Sequence, residues 1–132
     1  RLYSITSYSE LEKDAKSIQR QNTLSPSNKK QNYLQQLISN NDPIVATSDY
    51  VRAYSQLISS YTDNKFLALG TDGFGRSDTR KNLRDFFEVD SKHIVISSLY
   101  TLYEDGKISL DKVEKAIKKY NLNNNKINPW DL

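Results

Sequence analysis

The sequence predicts an open, mainly parallel α/β sheet with helices packed on both faces, a three-layer α/β/α arrangement. Short apolar runs typical of strands alternate with longer segments of helical periodicity, and residues that favour helix caps stand at the boundaries. The strand-like runs are Leu2–Thr6, Ile44–Thr47 and Phe66–Leu69. Three strands make a thin sheet, so we expect a missing part of the sheet to lie upstream of Arg1.

The first strand-like run is followed by two predicted helices. Ser7 stands three positions before Glu10, the spacing of a capping box, so a helix should begin there and carry an apolar stripe as far as Ile18. A second helix should include residues 33–38, where Tyr and Leu recur at helical spacing, and should end before Pro43.

Each later strand-like run is also followed by a helix. Ser48 or Asp49 can cap a helix that carries the apolar residues between Tyr50 and Ile58. Three more helices are expected after the third run. They extend from about Thr79 to Phe87, from Ser91 to Glu104 and from Ser109 to Asn121, with caps at Asp78, at Asp90 or Ser91, and at Ser109.

Length and composition indicate one domain over residues 1–132. Because the chain begins with Arg1 instead of Met and is strand-like from Leu2, we expect it to be a piece of a longer protein. Nineteen Lys and Arg against sixteen Asp and Glu give a formal charge of +3, but the signs are interspersed, which argues against a nucleic-acid partner.

No cysteine is present, so thiolate chemistry and cysteine-ligated metals are excluded. No apolar stretch approaches the roughly twenty residues of a membrane helix, and we expect a cytoplasmic protein without a membrane partner.

The most distinctive segment is a glycine-containing stretch between the third apolar run and the next helix. Gly70, Gly73 and Gly75 have the context of a phosphate loop but not its spacing, and Asp72 stands where a phosphate requires donors. We therefore favour a structural interpretation, in which the glycines allow close backbone contacts and Phe74 points outward as an anchor.

Three arginines follow these glycines. Arg76, Arg80 and Arg84 could bind a carboxylate in the crevice beyond the carboxyl ends of the strands. Ion pairs, within the chain or with another domain, are the interpretation that we favour. The acidic candidates for pairs within the chain are Asp72, Asp78 and Asp85. His93 is the only histidine, and we expect it at the surface or in an interface instead of in a catalytic role.

The loop and the residues after it resemble a known family. The stretch Gly70–Asp78, followed by Arg80, Asn82–Arg84 and Phe87–Asp90, is similar to the C-terminal domain of homodimeric bacterial pyruvate dehydrogenases, within the transketolase-like superfamily. Similar stretches extend over nearly the whole chain. In that family a further strand and helix precede the strand matching Leu2–Thr6, so the resemblance implies that this chain lacks the first strand and helix of the domain.

The resemblance also implies that the functions of the enzyme are divided among its domains. In such enzymes other domains hold thiamine diphosphate and magnesium, and the parent enzyme decarboxylates pyruvate and reductively acetylates lipoyl groups. The C-terminal domain completes the homodimer, and its complex includes a dihydrolipoyl acetyltransferase. We therefore expect no catalytic, cofactor-binding or metal-binding residue in this chain, which should be inactive when isolated.

The resemblance makes the loop an expected contact surface with neighbouring domains. Its candidate residues are Asp72, Gly73, Phe74, Gly75, Arg76, Asp78, Arg80 and Arg84. Three alternatives stay open: a free-standing module that docks the acyltransferase, the C-terminal domain of a transketolase, or a small enzyme with a pocket holding Arg76, Arg80 and His93.

Overall fold

The computed structural model describes residues 1–123 and 125–131. Within these residues a two-stranded parallel sheet lies among six α-helices. The elements are α1 (Tyr8–Leu24), α2 (Tyr33–Leu37), β1 (Ile44–Thr47), α3 (Arg52–Gln56), β2 (Phe66–Leu69), α4 (Arg80–Phe86), α5 (Ser91–Glu104) and α6 (Leu110–Tyr120), with 3-10 turns at Ser59–Tyr61 and Pro129–Asp131. None of the helices in this part of the chain combines the length and apolarity needed to cross a membrane.

The predicted parallel pairing of the second and third apolar runs is confirmed. β1 and β2 are in register from Ile44 opposite Phe66 to Thr47 opposite Leu69. The backbone N–H of Ser48 donates to the Leu69 carbonyl at 3.1 Å, which extends the pairing one residue past β1. Both strands therefore end at the same edge and deliver their following loops side by side.

The predicted strand at Leu2–Thr6 is wrong. This segment is irregular, Leu2 is 98% exposed, and the Tyr3 hydroxyl donates to the Leu37 carbonyl at 3.4 Å. A strand needs a neighbouring strand to satisfy its backbone hydrogen-bonding groups. In residues 1–123 and 125–131 no strand lies beside Leu2–Thr6 to do so. Apolar alternation alone therefore did not make a strand here.

Two groups of helices pack on the sheet and give the layered α/β arrangement. α1 to α3 form one group around a core of Tyr8, Leu34 and Ile58, against which Phe66 of β2 packs. α5 contacts both strands, and α6 packs on α5 with Val113 buried. The core is small and lies next to the sheet, as expected for a chain of this size.

Several predicted helix boundaries are confirmed. The Ser7 hydroxyl accepts from the Glu10 backbone N–H at 3.2 Å, so α1 begins at the predicted cap. Asp90 caps α5 by accepting from the His93 backbone N–H at 3.0 Å. Gly106, at φ +70°, follows the end of α5 in the left-handed region, where glycine is favoured.

The predicted start of α3 is wrong. Ser48 accepts from the Tyr50 backbone N–H and does not cap the helix, and α3 begins at Arg52, after Val51. The Arg52 N–H is bound instead by the Asp72 carboxylate, at 2.9 Å, from the loop after β2. A cap twenty residues away in sequence leaves no local signal.

The predicted cap of α4 at Asp78 is off by one residue. Thr79 is the N-cap, and its hydroxyl accepts from the Asn82 backbone N–H at 3.3 Å. Asp78 accepts from the Thr79 N–H and the Asn82 side chain, so it stabilises the same turn from one position earlier.

Candidate functional site

The candidate site is the loop at the carboxyl end of β2, residues 70–79, which we call the glycine loop. It lies beside residues 48–50, which follow β1, because the strands are parallel and in register. In open α/β sheets this edge is the usual place for ligands and contacts.

Gly70 begins the loop and has no room for a side chain. A Cβ there would lie 2.6 Å from Arg52 Cα and 2.7 Å from the Tyr50 carbonyl oxygen, and closer still to the Arg52 nitrogen. The Thr71 N–H also donates to the Tyr50 carbonyl, at 2.9 Å. The close approach that requires glycine is therefore to the start of α3.

Gly73 makes a second close approach, to the end of the chain. Its φ is +104°, and a Cβ would lie 2.9 Å from the Pro129 carbonyl oxygen and 3.0 Å from Trp130 Cα. At Gly75, in contrast, no atom of the described residues lies within 4 Å of the place that a Cβ would take. The first two approaches are to protein backbone, so these glycines do not form an open cradle for a diphosphate.

Asp72 joins the loop to α3. Besides binding the Arg52 N–H, its carboxylate lies 3.2 Å from Arg52 Nε, an ion-pair contact whose angle does not meet hydrogen-bond geometry. The Arg52 guanidinium lies 5.5 Å from the centre of the Trp130 ring. Asp72 is therefore already engaged within the domain.

Arg84 of α4 is paired with Asp49, a residue that the sequence interpretation did not consider as its partner. Arg84 Nη2 lies 2.8 Å and Nε 3.2 Å from the two oxygens of the Asp49 carboxylate, a two-bond pair. The hydrogen bond from Arg84 lowers the pKa of Asp49, with a smaller contribution from Arg80. This pair joins the loop after β1 to α4.

Arg84→Gln should raise the pKa of Asp49 toward the ordinary aspartate value, and Arg80→Gln should raise it less. Because the pKa is lower in the folded protein than in the unfolded chain, the pair stabilises the fold above about pH 4. That stabilisation is lost as pH falls through the folded pKa. NMR titration of the Asp49 side-chain carboxyl measures both variants, and equal shifts would contradict the assigned pairing.

Asp78 is used inside the chain in a similar way. It accepts from the Thr79 N–H at 2.6 Å and from Asn82 Nδ2 at 2.9 Å, and the backbone hydrogen bond is the larger cause of its lowered pKa. It therefore holds the start of α4 and does not depend on another molecule for a partner.

Phe74, Arg76 and Arg80 are left facing outward. Phe74 is 80% exposed. The Arg76 guanidinium lies 4.5 Å above the Phe86 ring, and within the described ranges, 1–123 and 125–131, neither Arg76 nor Arg80 has a carboxylate within salt-bridge distance. These three side chains are the part of the predicted site that remains available for a contact.

Two of the cavities at this edge are lined by Arg80. One of about 420 Å³ is lined by Phe74, Arg76 and Arg80 together with apolar side chains of α4 and of the residues just after it, and one of about 1010 Å³ lies between α4 and the start of α5. His93 lines neither cavity, and its Nδ1 lies 2.7 Å from Asp90. The arrangement of Arg76, Arg80 and His93 around one pocket is therefore not found at this edge.

The sequence interpretation missed two residues near the C-terminus, of which one packs against the glycine loop and the other binds the end of α4. Trp130 packs against Gly73, and Lys126 Nζ donates to the carbonyls of Asp85 at 2.7 Å and Phe86 at 3.0 Å, at the end of α4. The only tryptophan of the chain was a signal that could have indicated Trp130, whereas Lys126 stands in a polar stretch with no such signal.

Comparison with known families shows which family this chain belongs to. The family of transketolase-like TK C-terminal domains matches residues 1–90, which include both strands and the helices from α1 to α4. The chain belongs to this family. The α/β fold with a short parallel sheet is consistent with a transketolase-like C-terminal domain.

This transketolase-like domain is also similar to named bacterial proteins over nearly its whole length. It is 42% identical to the pyruvate dehydrogenase E1 component of Cupriavidus necator over 133 residues, 99% of this chain and 15% of that protein. It is 40% identical to that of Pseudomonas aeruginosa (98% and 15%) and 39% identical to that of Escherichia coli K12 (97% and 14%). The match is to the C-terminal part of these relatives. The chain spans about one seventh of their length.

Proposed function

We propose that this chain is the C-terminal domain of a pyruvate dehydrogenase E1 component, the thiamine-diphosphate-dependent enzyme that oxidatively decarboxylates pyruvate and acetylates lipoyl groups. The single observation that carries the proposal is the identity of 39 to 42% with E1 components of several bacteria over at least 97% of the chain. The domain is one unit, residues 1–132, of a longer cytoplasmic enzyme.

The proposed role of the domain is structural. Thiamine diphosphate supplies carbanion-stabilising chemistry when it is bound, and residues outside this chain would hold it together with magnesium. Within this chain each loop at a strand end is fixed to the helix that follows the other loop, by Asp72 with Arg52 of α3 and by Asp49 with Arg84 of α4. A rigid edge of this kind suits a contact with neighbouring domains or the second subunit, in a homodimer that works with a dihydrolipoyl acetyltransferase.

The geometry narrows the proposed contact residues. Of the eight residues that the sequence interpretation proposed, Asp72, Asp78 and Arg84 have partners within the domain. Gly73 packs against the backbone of Pro129 and Trp130 near the C-terminus. Phe74, Arg76 and Arg80, with Gly75 between them, form the outward part. We call these four residues the anchor surface.

Phe74→Ala in the full-length protein should weaken assembly without changing cofactor affinity. Removing an exposed ring costs the isolated domain little, whereas truncating an aromatic anchor in an interface costs about 2 kcal/mol or more, roughly a thirtyfold change in dissociation constant. Sedimentation measures assembly, and the thiamine diphosphate dependence of pyruvate decarboxylation measures cofactor affinity. Tyr33→Ala, an aromatic that is 56% exposed in α2, is the matched control. A variant that loses cofactor affinity but assembles normally would contradict the proposal.

A further inference from the structure

The anchor surface has an apolar floor and a charged rim. The cavity of about 420 Å³ beside Phe74 is open to solvent and is lined by side chains of α4 and the turn that follows it. Its apolar members are Phe74, Leu83, Phe87 and Val89. A space of this volume, with four apolar side chains in its lining, accommodates apolar side chains of a partner.

The rim carries a formal net charge of +1, because three arginines and two aspartates line the cavity. Of the three arginines lining the cavity, Arg84 is paired with Asp49. The Asp78 carboxylate accepts from two neutral donors, the Thr79 N–H and the Asn82 side chain, and keeps its negative charge. Arg76 and Arg80 make no salt bridge to any residue that the structure describes. The surface therefore presents two cations beside an exposed aromatic ring.

This combination indicates the chemistry of the occupant. Aromatic and arginine side chains are enriched at the centres of protein interfaces, and an arginine fork binds a carboxylate in a two-bond geometry. Burying Arg76 or Arg80 without an anion would be costly, so the partner must bring acidic groups to the rim. An apolar side chain must fill the floor at the same time.

We propose that the anchor surface binds a segment of the same enzyme, outside these 132 residues, in which an apolar side chain is flanked by Asp or Glu carboxylates. This inference rests on the proposed function, under which about six sevenths of the polypeptide lies outside the chain, as it does in the relatives. Charge complementarity favours such a segment over a second copy of this surface, because two copies would place like charges against each other.

The direct test is photo-crosslinking in the full-length enzyme. A photoreactive benzoylphenylalanine replaces Phe74, and the crosslinked peptide is identified by mass spectrometry. The expected partner is a peptide outside residues 1–132 with an Asp or Glu within two positions of an apolar residue. A crosslink to residues 1–132 of another copy, or no crosslink in an active enzyme that carries the probe, would overturn the inference. The same probe at Tyr33 is the control for random crosslinking.

Charge substitutions test the rim separately. Arg80→Glu should lower the crosslink yield at position 74 by about tenfold at low salt, and Arg80→Lys should lower it much less, since only Arg80→Glu places like charges across the contact. Substituting the acidic residue of the crosslinked peptide by Arg should restore the yield in Arg80→Glu. An unchanged yield in Arg80→Glu would overturn the inference.

The two proposals fail in different ways. If the full-length protein does not decarboxylate pyruvate with thiamine diphosphate, the proposed function fails whatever the crosslink shows. If it is active but the probe at position 74 captures a peptide without acidic residues, the proposed function stands and the inference about the partner's chemistry is wrong.

Discussion

Gly70→Ala should destabilise the domain by about 3 kcal/mol or more, at or above the upper end of the usual cost of overpacking. The added methyl group would lie 2.6 Å from Arg52 Cα and 2.7 Å from the Tyr50 carbonyl oxygen. Both obstacles are backbone atoms, which cannot turn away as a side chain can. Relief would require the loop after β2 to move away from the start of α3, and this would break the contact of Asp72 with the Arg52 N–H.

Gly75→Ala is the matched control for this prediction. No atom of the described part of the chain lies within 4 Å of the Cβ position there, so the change should alter stability by less than about 1 kcal/mol, and it can stabilise the fold by restricting the unfolded chain. Hydrogen–deuterium exchange at the amides of β1 and β2, in the full-length protein, measures the free energy of opening of the sheet. Equal losses in the two variants would contradict the close packing at Gly70.

Leu34→Ala should cost about 2 to 5 kcal/mol, the usual range for removing a buried leucine side chain. Leu34 is 1% exposed and lies in the core with Tyr8 and Ile58. In a core this small, few neighbouring side chains can move in to fill the resulting cavity. The loss should appear as faster amide exchange in α1 and α2.

The control for the core prediction is Leu2→Ala, in which the same atoms are removed from a side chain that is 98% exposed. This change should alter stability by no more than about 0.5 kcal/mol, as is usual for exposed positions. The comparison also tests the corrected N-terminal segment, because a leucine in a strand of the sheet would be costly to truncate. A large loss in Leu2→Ala would therefore favour the original strand prediction.

The sequence predicted most of the fold because the elements that formed carry local signals. The apolar runs at Ile44–Thr47 and Phe66–Leu69 became the paired strands, and α5 has the predicted bounds, Ser91–Glu104. Ser7 and Asp90 act as caps because the groups they bind lie three residues away. The run at Leu2–Thr6 has the pattern of a strand but no partner strand in the described part of the chain.

The candidate site was predicted less completely because its contacts join distant parts of the chain. The glycines of the loop were correctly expected to allow close backbone approach at Gly70 and Gly73, but the neighbours at Tyr50 and Trp130 could not be inferred from spacing. The partner of Arg84 is Asp49, thirty-five residues earlier, and no local pattern distinguishes it from nearer aspartates. Pairings of this kind are fixed by strand register and helix packing.

The measurement that tests the account most directly is the native mass of the species that carries this sequence in its source cell, with pyruvate decarboxylation assayed in the same fraction. We expect a subunit many times larger than 15.2 kDa, with decarboxylation that depends on thiamine diphosphate and magnesium. A separate chain of 15.2 kDa, in fractions without that activity, would contradict the account and leave only shared ancestry with the E1 components.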